Sequence, residues 1–464
     1  MATAYRIQID PSRIGLLGYK HNKAAAAKLS ELLQKDLDGH HVFFLARGYH
    51  NHVRANLATH CTPQSFNSRA TPEQLQAAFD RDAELQIDRF KLNDGVLEDL
   101  RRDWAANAPK YLGDAKYYTD FLRYFQEEVE AKGWKNTLVE YLLSGEESTH
   151  DMYRRSWGSF AHSFIQLMYG IEWDQPAIIA QGLAQAAIHD TYVGDFLEKV
   201  EKAEASNPPS RRLNTSELYE QVHSDPEFVN SVRNGNPNKI LDSIEVLCPD
   251  EGVNYLAQVK ADPNNLAEGI AENIHTAAYM VSACIFHPPD YPRFDFFLIH
   301  HLTIGPFLLL IQDAAWVPDS VKLRTLEWKA RFDILHYVVR WAPPLQLDSI
   351  SSYKPKDTTL VNNLEELLPR FINMPDDGHV VKTARALVLA RHVSQDYLDR
   401  PWIRIKDDKT WLNAQYLLLD STWEHPDYPW VRTAGWDEAW KDSGLPETIL
   451  TEHHKAKTLF QAPV

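Results

Sequence analysis

Apolar residues recur at every third or fourth position along most of this chain, the spacing that gathers them on one face of a helix. Helix-start signals accompany the pattern. In "TPEQLQAAFDRDAEL" Thr71 stands as N-cap, Pro72 at the first helical position, and Glu73 and Gln74 in the first turn. "DQPAIIAQGLAQAAIHD" reads as a helix opened by Asp174 as N-cap and running to His189. Strand-like alternation is scarce, and "YRIQI" (Tyr5 to Ile9) is its clearest case. The pattern predicts an all-α protein with negligible sheet.

Two stretches break the rhythm. Residues 202–240 are polar and rich in Pro and Asn, which predicts a surface excursion or linker. From about residue 400 the chain becomes Trp-rich: Trp402, Trp411, Trp423, Trp430, Trp436 and Trp440 fall there. Aromatic burial would staple this segment to the body, and some of its rings would line a pocket on a sharper reading. The expected organisation is one large helical domain over 1–400, with 401–464 as a C-terminal segment packed on it.

Composition changes this picture little, because 44% hydrophobic residues suit a large core and exclude disorder. Charge narrows the partners. With 48 basic and 64 acidic residues the net charge is −16, which repels phosphate backbones and anionic lipid. Nucleic acid and membrane surfaces are therefore not expected partners. The three cysteines, Cys61, Cys248 and Cys284, are far apart in sequence and suggest neither a CxxC metal site nor a disulfide framework. The start "MATAYRIQIDPSR" has no apolar stretch after a basic one, and the apolar run Phe296 to Ile311 is too short to span a bilayer. A soluble, cytoplasmic protein is expected.

The common cofactor motifs fail. "RIGLLGYKHNKAAAAKL" carries Gly15 and Gly18 but no GxGxxG, and no βαβ pattern follows. There is no GxxxxGK[ST] loop and no GxSxG elbow. No flavin or dinucleotide site is signalled, so any reductant would come from outside.

Candidate chemistry lies in the 20 histidines. His50 and His52 stand two apart and would point in different directions on a helix. His162 sits among Phe160, Phe164, Ile165 and Met168; there a buried imidazole needs a partner for each ring nitrogen, and the plain alternative is a core histidine bonded to a carbonyl. His300 and His301 interrupt the most apolar helix, about 100° apart around it. In "DDGHVVKTARALVLARH", His379 and Lys382 share a helix face while Val380, Val381, Ala384, Leu387 and Val388 make the rest apolar. Asp376 and Asp377 precede the helix as caps. Burying an ammonium there is expensive, so Lys382 either pairs with a distant carboxylate, snorkels outward, or is held deprotonated. A neutral amine can ligate a metal, or react with carbon dioxide to give a carboxylate-like carbamate.

At "HNH", "SFAHSFIQLMYGIEWDQPAIIAQGLAQAAIHD", "FDFFLIHHLT" and "DDGHVVKTARAL" the chain resembles the fungal questin oxidase-like family. Order and spacing match over about residues 40 to 400. Family members often carry a His-His pair a few residues after "HNH", where this chain has Asn56 and Leu57. The resemblance implies an all-α oxygenase of aromatic polyketide biosynthesis that opens the quinone ring of anthraquinones by Baeyer–Villiger or dioxygenase chemistry. It also implies a shared polar core of His52, His162, His300, His379 and Lys382; spacing alone does not show that these five meet.

Four imidazoles and one anionic oxygen suit iron, and also zinc, copper or nickel. Iron with O2 is the natural pairing for ring cleavage, although the set departs from the usual two-His-one-carboxylate triad. A metal-free alternative lets the histidines act as bases and donors toward the hydroquinone form, with Lys382 as a plain cation. A non-catalytic binder of flat aromatics is the third reading. Substrate rings would stack on aromatics near the histidines in sequence, namely Tyr49, Trp157, Phe160, Tyr169 and Phe297. His189, with Gln181 and Gln185 at i−8 and i−4, makes a polar stripe that meets quinone oxygens or else faces solvent.

Overall fold

Helix packing in the computed structural model follows the periodicity of the sequence. The structure describes residues 1–19, 22–41, 71–83, 87–208, 214–233, 250–356, 359–372, 374, 376, 378–424 and 429–441. The helices that matter most to the interior are α1 (Lys23–Gly39), α2 (Pro72–Ala83), α3 (Tyr118–Lys132), α4 (Gly158–Glu172), α5 (Pro176–Ile188), α6 (Leu266–Ala283), α7 (Ile299–Thr303), α8 (Asp319–Val339), α9 (His379–Ser394) and α10 (Asp408–Glu424). Among the described residues the only sheet is one parallel pair, β1 (Phe294–Asp295) with β2 (Trp430–Val431), in the register Phe294 to Trp430 and Asp295 to Val431. No helix among them is long and apolar enough to cross a membrane.

Helix α5 runs through the middle. Every residue from Ala177 to Ile188 is buried, the expected fate of a helix whose only polar side chains are Gln181 and Gln185. The short turn from Trp173 to Gln175 folds it back against α4. Two glycines permit the close approach. A Cβ on Gly170 would meet the Ile179 side chain at 2.7 Å, and one on Gly182 would meet Leu167 at 2.7 Å. On the other side of the interior, α6 and α10 both pack on α9, and α8 packs on α6.

The predicted start of α2 is present: Thr71 Oγ1 accepts from the Gln74 N–H at 3.3 Å, and Gln74 Oε1 accepts from the Thr71 N–H at 2.8 Å. The predicted cap of α5 is displaced by one residue. Gln175 is the N-cap, while Asp174 takes φ 51 and accepts instead from Trp134 Nε1 at 2.9 Å. Pro176 at N1 lacks an N–H, and that spares the helix one unsatisfied donor.

The strand expected at Tyr5–Ile9 does not form. Its alternation is real, since Ile7 and Ile9 are buried and Gln8 is exposed. The missing element is a ladder partner. Side chains accept its N–H groups instead: Gln34 Oε1 from Ile7, Gln175 Oε1 from Gln8 and Ser30 Oγ from Ile9, at 2.8, 3.0 and 2.9 Å. The polar stretch 202–240 also differs from a plain surface excursion. Within it Thr215–His223 and Pro226–Arg233 are helices, and Leu218, Tyr219 and Val222 are buried. Tyr219 packs edge-on against Tyr337 of α8 at 4.9 Å. The few apolar residues of a polar segment suffice when they fall at i, i+1 and i+4.

In the Trp-rich segment, Trp402, Trp411 and Trp440 are buried, whereas Trp423 is 56% exposed. Segment β2 carries Trp430 alongside β1, just ahead of α7, and thereby brings this part of the chain over the histidines.

Gln175 holds the amino-terminal arm at both ends of one amide, since its Nε2 also donates to the Gln8 carbonyl at 3.0 Å. Gln175→Leu keeps the volume and leaves these part-buried backbone groups of Gln8 unmatched. A loss of about 1–3 kcal/mol is expected in chemical denaturation, against under about 0.5 kcal/mol for Gln8→Ala on the exposed side.

Candidate active site

Three helices converge on one buried point. The first is α4, and it begins under strain. Ser159, Phe160 and Ala161 all have left-handed backbones, with φ of 49, 54 and 55. For residues with a Cβ this costs roughly 1–2 kcal/mol each. The turn has two products. It brings the Ser159 carbonyl to His162 Nδ1 at 2.6 Å, and it lays the Phe160 ring against His300 at 5.5 Å and Phe297 at 4.9 Å.

The second is α7, five residues long. His300 Nδ1 lies 2.8 Å from the Phe296 carbonyl, so that nitrogen carries the proton. Its Nε2 keeps a lone pair with no hydrogen-bond partner among the described residues. The third is α9. Gly378, at φ 79, turns the chain into it, and Asp376 Oδ2 caps the Val380 N–H at 2.8 Å, as the sequence suggested. His379 and Lys382 are both buried, at 4% and 2% exposure. Neither therefore snorkels to solvent.

One ligating nitrogen from each of His162, His300 and His379 can be chosen so that all lie within 4.8 Å of one another. Ring centroids are 4.8 Å apart for His162 and His300, and 5.0 Å for His300 and His379. Burial, then the positive charge of Lys382, pushes His162 well below the ordinary imidazole pKa. Burial, followed by the neighbouring His162, His379 and Lys382, does the same to His300. Both rings are thus neutral at physiological pH. Neutral imidazoles that tie Nδ1 to a carbonyl and turn Nε2 inward form a donor set suited to a borderline metal ion. The residues present fit such an ion.

The other expected site residues divide. Tyr49 and His52, like His50, lie outside the described residues. Phe160 and Phe297 stack on each other at the cluster. Trp157 does not join them; it packs among Tyr153, Phe164, Trp328 and Phe332 as core. Tyr169 is two turns beyond His162 on α4, beneath the Arg385 guanidinium at 5.8 Å. His189 caps the end of α5, and Gln181, Gln185 and His189 are all buried, so the stripe is not a solvated face. Burial pushes His189 down to about 4, with the nearby Arg155 carbonyl partly offsetting it.

Several residues at the site went unnoticed in the sequence. Phe296 packs 4.9 Å from His379 and 5.3 Å from His300, and Trp430 lies 6.3 Å from His379. The Arg340 guanidinium sits 3.8 Å over Phe297, and that of Arg432 sits 4.9 Å over Phe296. Phe296 was findable, since it precedes His300 by four residues on the same face. Trp430 belongs to the Trp-rich segment, some of whose rings line a pocket on the sharper reading of the sequence, though nothing local singled it out; the arginines come from distant segments and left no local signal.

This is an all-α protein whose interior holds a converging set of imidazoles and a buried lysine walled by aromatic rings. The family model for questin oxidase-like proteins matches residues 49–387. Over 421 residues the chain is 31% identical to a protein named Baeyer-Villiger oxidase mdpL of Emericella nidulans, covering 89% of this chain and 92% of the relative. It is 30% identical to oxidoreductase AflY of Aspergillus parasiticus, covering 93% and 86%, and 29% identical to a questin oxidase of Aspergillus fumigatus, covering 95% and 99%. The chain belongs to the questin oxidase-like family and is an oxidoreductase.

Glu172 and Arg385 tie the end of α4 to the middle of α9, with Arg385 Nη2 at 2.5 Å from Glu172 Oε1 and both side chains at most 2% exposed. Removing one partner strands the other charge. Glu172→Ala should therefore destabilise the fold by about 3–5 kcal/mol, while Glu172→Gln with Arg385→Met should cost far less in the same denaturation experiment.

Proposed function

We propose that the protein is an oxygenase that uses O2 to cleave a carbon–carbon bond of an anthraquinone-type ring, with non-heme iron held by His162, His300, His379 and Lys382. His52 is the fourth imidazole of this set by family resemblance. The observation that carries the reading is the convergence of three buried imidazole nitrogens within 4.8 Å. The names of relatives, questin oxidase and Baeyer-Villiger oxidase, support the substrate class and the reaction type.

Bound iron would supply a redox centre able to engage triplet dioxygen, with which a singlet aromatic ring does not react readily. The protein's own residues do the rest. The Ser159 and Phe296 carbonyls hold the Nδ1 protons of His162 and His300 and so fix both rings. Phe160, Phe296, Phe297 and Trp430 offer flat faces to a fused aromatic substrate and keep water out. Arg340 and Arg432, stacked over Phe297 and Phe296, place positive charge near developing oxyanions. Gln185 and His189 on α5 are the polar groups for the substrate's distant oxygens. The Lys382 amine attacks carbon dioxide, loses a proton and becomes a carbamate, whose oxygen offsets a cation's charge as an amine cannot.

A second reading is favoured by the Baeyer-Villiger names of several relatives. In it the reduced anthraquinone reacts with oxygen without a metal, the histidines act as bases, and Lys382 stabilises an anion.

Replacing His162, His300 or His379 by Ala should lower bound iron and ring cleavage together, by at least about 10–100-fold. Stoichiometric iron retained in all three variants would rule out this ligand set, and turnover by rigorously metal-free protein would favour the second reading. Lys382→Ala should lose both properties and regain part of each with formate or acetate. Lys382→Arg should not recover, because guanidinium keeps its charge; full activity there would mean that the site needs a cation at this position.

A further inference from the structure

We infer that a second buried network, Lys329–Asp333–His301, positions His300 by fixing the rotation of α7. The inference rests on reading the three-histidine cluster as a metal site.

A helix of five residues, joined through Ile304 to the next helix Gly305–Gln312, takes its orientation from what anchors it. Two fully buried carboxylates hold this one. Asp295 Oδ1 accepts from the Phe297 and Leu298 N–H groups at 2.8 and 3.1 Å, just before α7. Its Oδ2 accepts from the Thr433 and Ala434 N–H groups, both at 2.8 Å, and so fastens the chain after β2. Asp333, on α8, accepts from His301 Nδ1 at 2.7 Å. Lys329 Nζ reaches both Asp333 oxygens at 2.6 Å, and Asn273 Nδ2 donates to Oδ2 at 3.0 Å. The side chains of His301 and Asp333 are 0% exposed and that of Lys329 is 1% exposed.

Stability alone does not account for this arrangement. Apolar residues of the same volume commonly serve as well or better in place of a buried ion pair. Direction does account for it. His301 is the next residue after His300, about 100° around the helix, so it faces α8 while His300 faces the cluster. A turn of α7 by about 10° would swing the tip of the His300 imidazole by about 1 Å, whereas a ligand set tolerates about 0.5 Å. The His301–Asp333 bond removes that freedom. Lys329 neutralises the carboxylate, and Asn273 fills a further acceptor site on it. His301 also packs against the adjacent rings of Phe332 and His336, with ring centroids at 4.8 and 4.6 Å. His301 and Asp333 are positioning residues and touch neither ion nor substrate.

Two double variants separate the bond from the ion pair. Asp333→Asn with Lys329→Met keeps an acceptor for the His301 N–H. Asp333→Leu with Lys329→Met removes it. Cobalt(II) is titrated into metal-free protein and followed by its d–d absorption, with thermal melts and far-UV circular dichroism confirming the fold. The Asn variant should bind within about threefold of wild type. The Leu variant should bind about 10–100-fold more weakly, with an altered d–d band. If the Leu variant does not fold, His301→Phe removes only the bond and should show the same loss. Wild-type affinity and spectrum in the folded Leu variant or in His301→Phe, or equal weakening in both double variants, would overturn the inference alone. Wild-type protein that binds no cobalt would remove the metal reading and this inference with it.

Discussion

An imidazole shut away from water favours a fixed acceptor for its N–H, and the histidines at and beside the cluster are arranged around that preference. His162 uses the Ser159 carbonyl, His300 the Phe296 carbonyl and His336 the Phe332 carbonyl, each three or four residues earlier in the chain. His301 uses Asp333. In the first three Nδ1 is occupied by the ring's own turn of backbone, whereas His301 reaches across to α8; the Nε2 atoms of His300, His301 and His336 accept no hydrogen bond among the described residues. Local backbone acceptors need no partner from a distant helix, so the rings can be aimed by the helices that carry them. The left-handed turn before His162 and the short helix bearing His300 are consequences of this aiming.

Such aiming costs stability, and the cost is concentrated around the histidine cluster. Three successive left-handed residues and the buried Glu172–Arg385 pair lie on helices that deliver the cluster, and the buried Lys329–Asp333 pair lies on α8 beside α7. Strain of this kind persists when the surrounding packing overdetermines it. Here α5, buried on every side, and the close seam at Gly170 and Gly182 provide a rigid backing for α4. The aromatic walls are held in turn: Arg340 lies over Phe297, and β2 is paired to β1 so that Trp430 covers His379.

The fold was largely legible in the sequence because its helices are long and strongly periodic. The failures were local. Tyr5–Ile9 alternates as a strand does, but alternation specifies a half-buried extended segment and not a partner; side chains of α1 and Gln175 supply what a neighbouring strand would have supplied. The polar 202–240 stretch hid Leu218, Tyr219 and Val222 in a composition that reads as loop. At the site, the shared face of His379 and Lys382 could be read directly from their spacing. The convergence of His162, His300 and His379 could not, because nothing local relates residues from three separate helices; family resemblance indicated it. The Lys329–Asp333 pair has the i, i+4 spacing of an ordinary ion pair on a helix surface and was not singled out. Its burial, and the bond to His301, exist only in three dimensions.

The account stands on a metal ion at the cluster, and elemental analysis of the untagged, catalytically competent protein tests that most directly. It predicts close to one iron per chain, with ring cleavage that falls in proportion as iron is withdrawn and returns when ferrous ion is restored. Full oxygen-dependent ring cleavage by protein shown to contain no transition metal would contradict it.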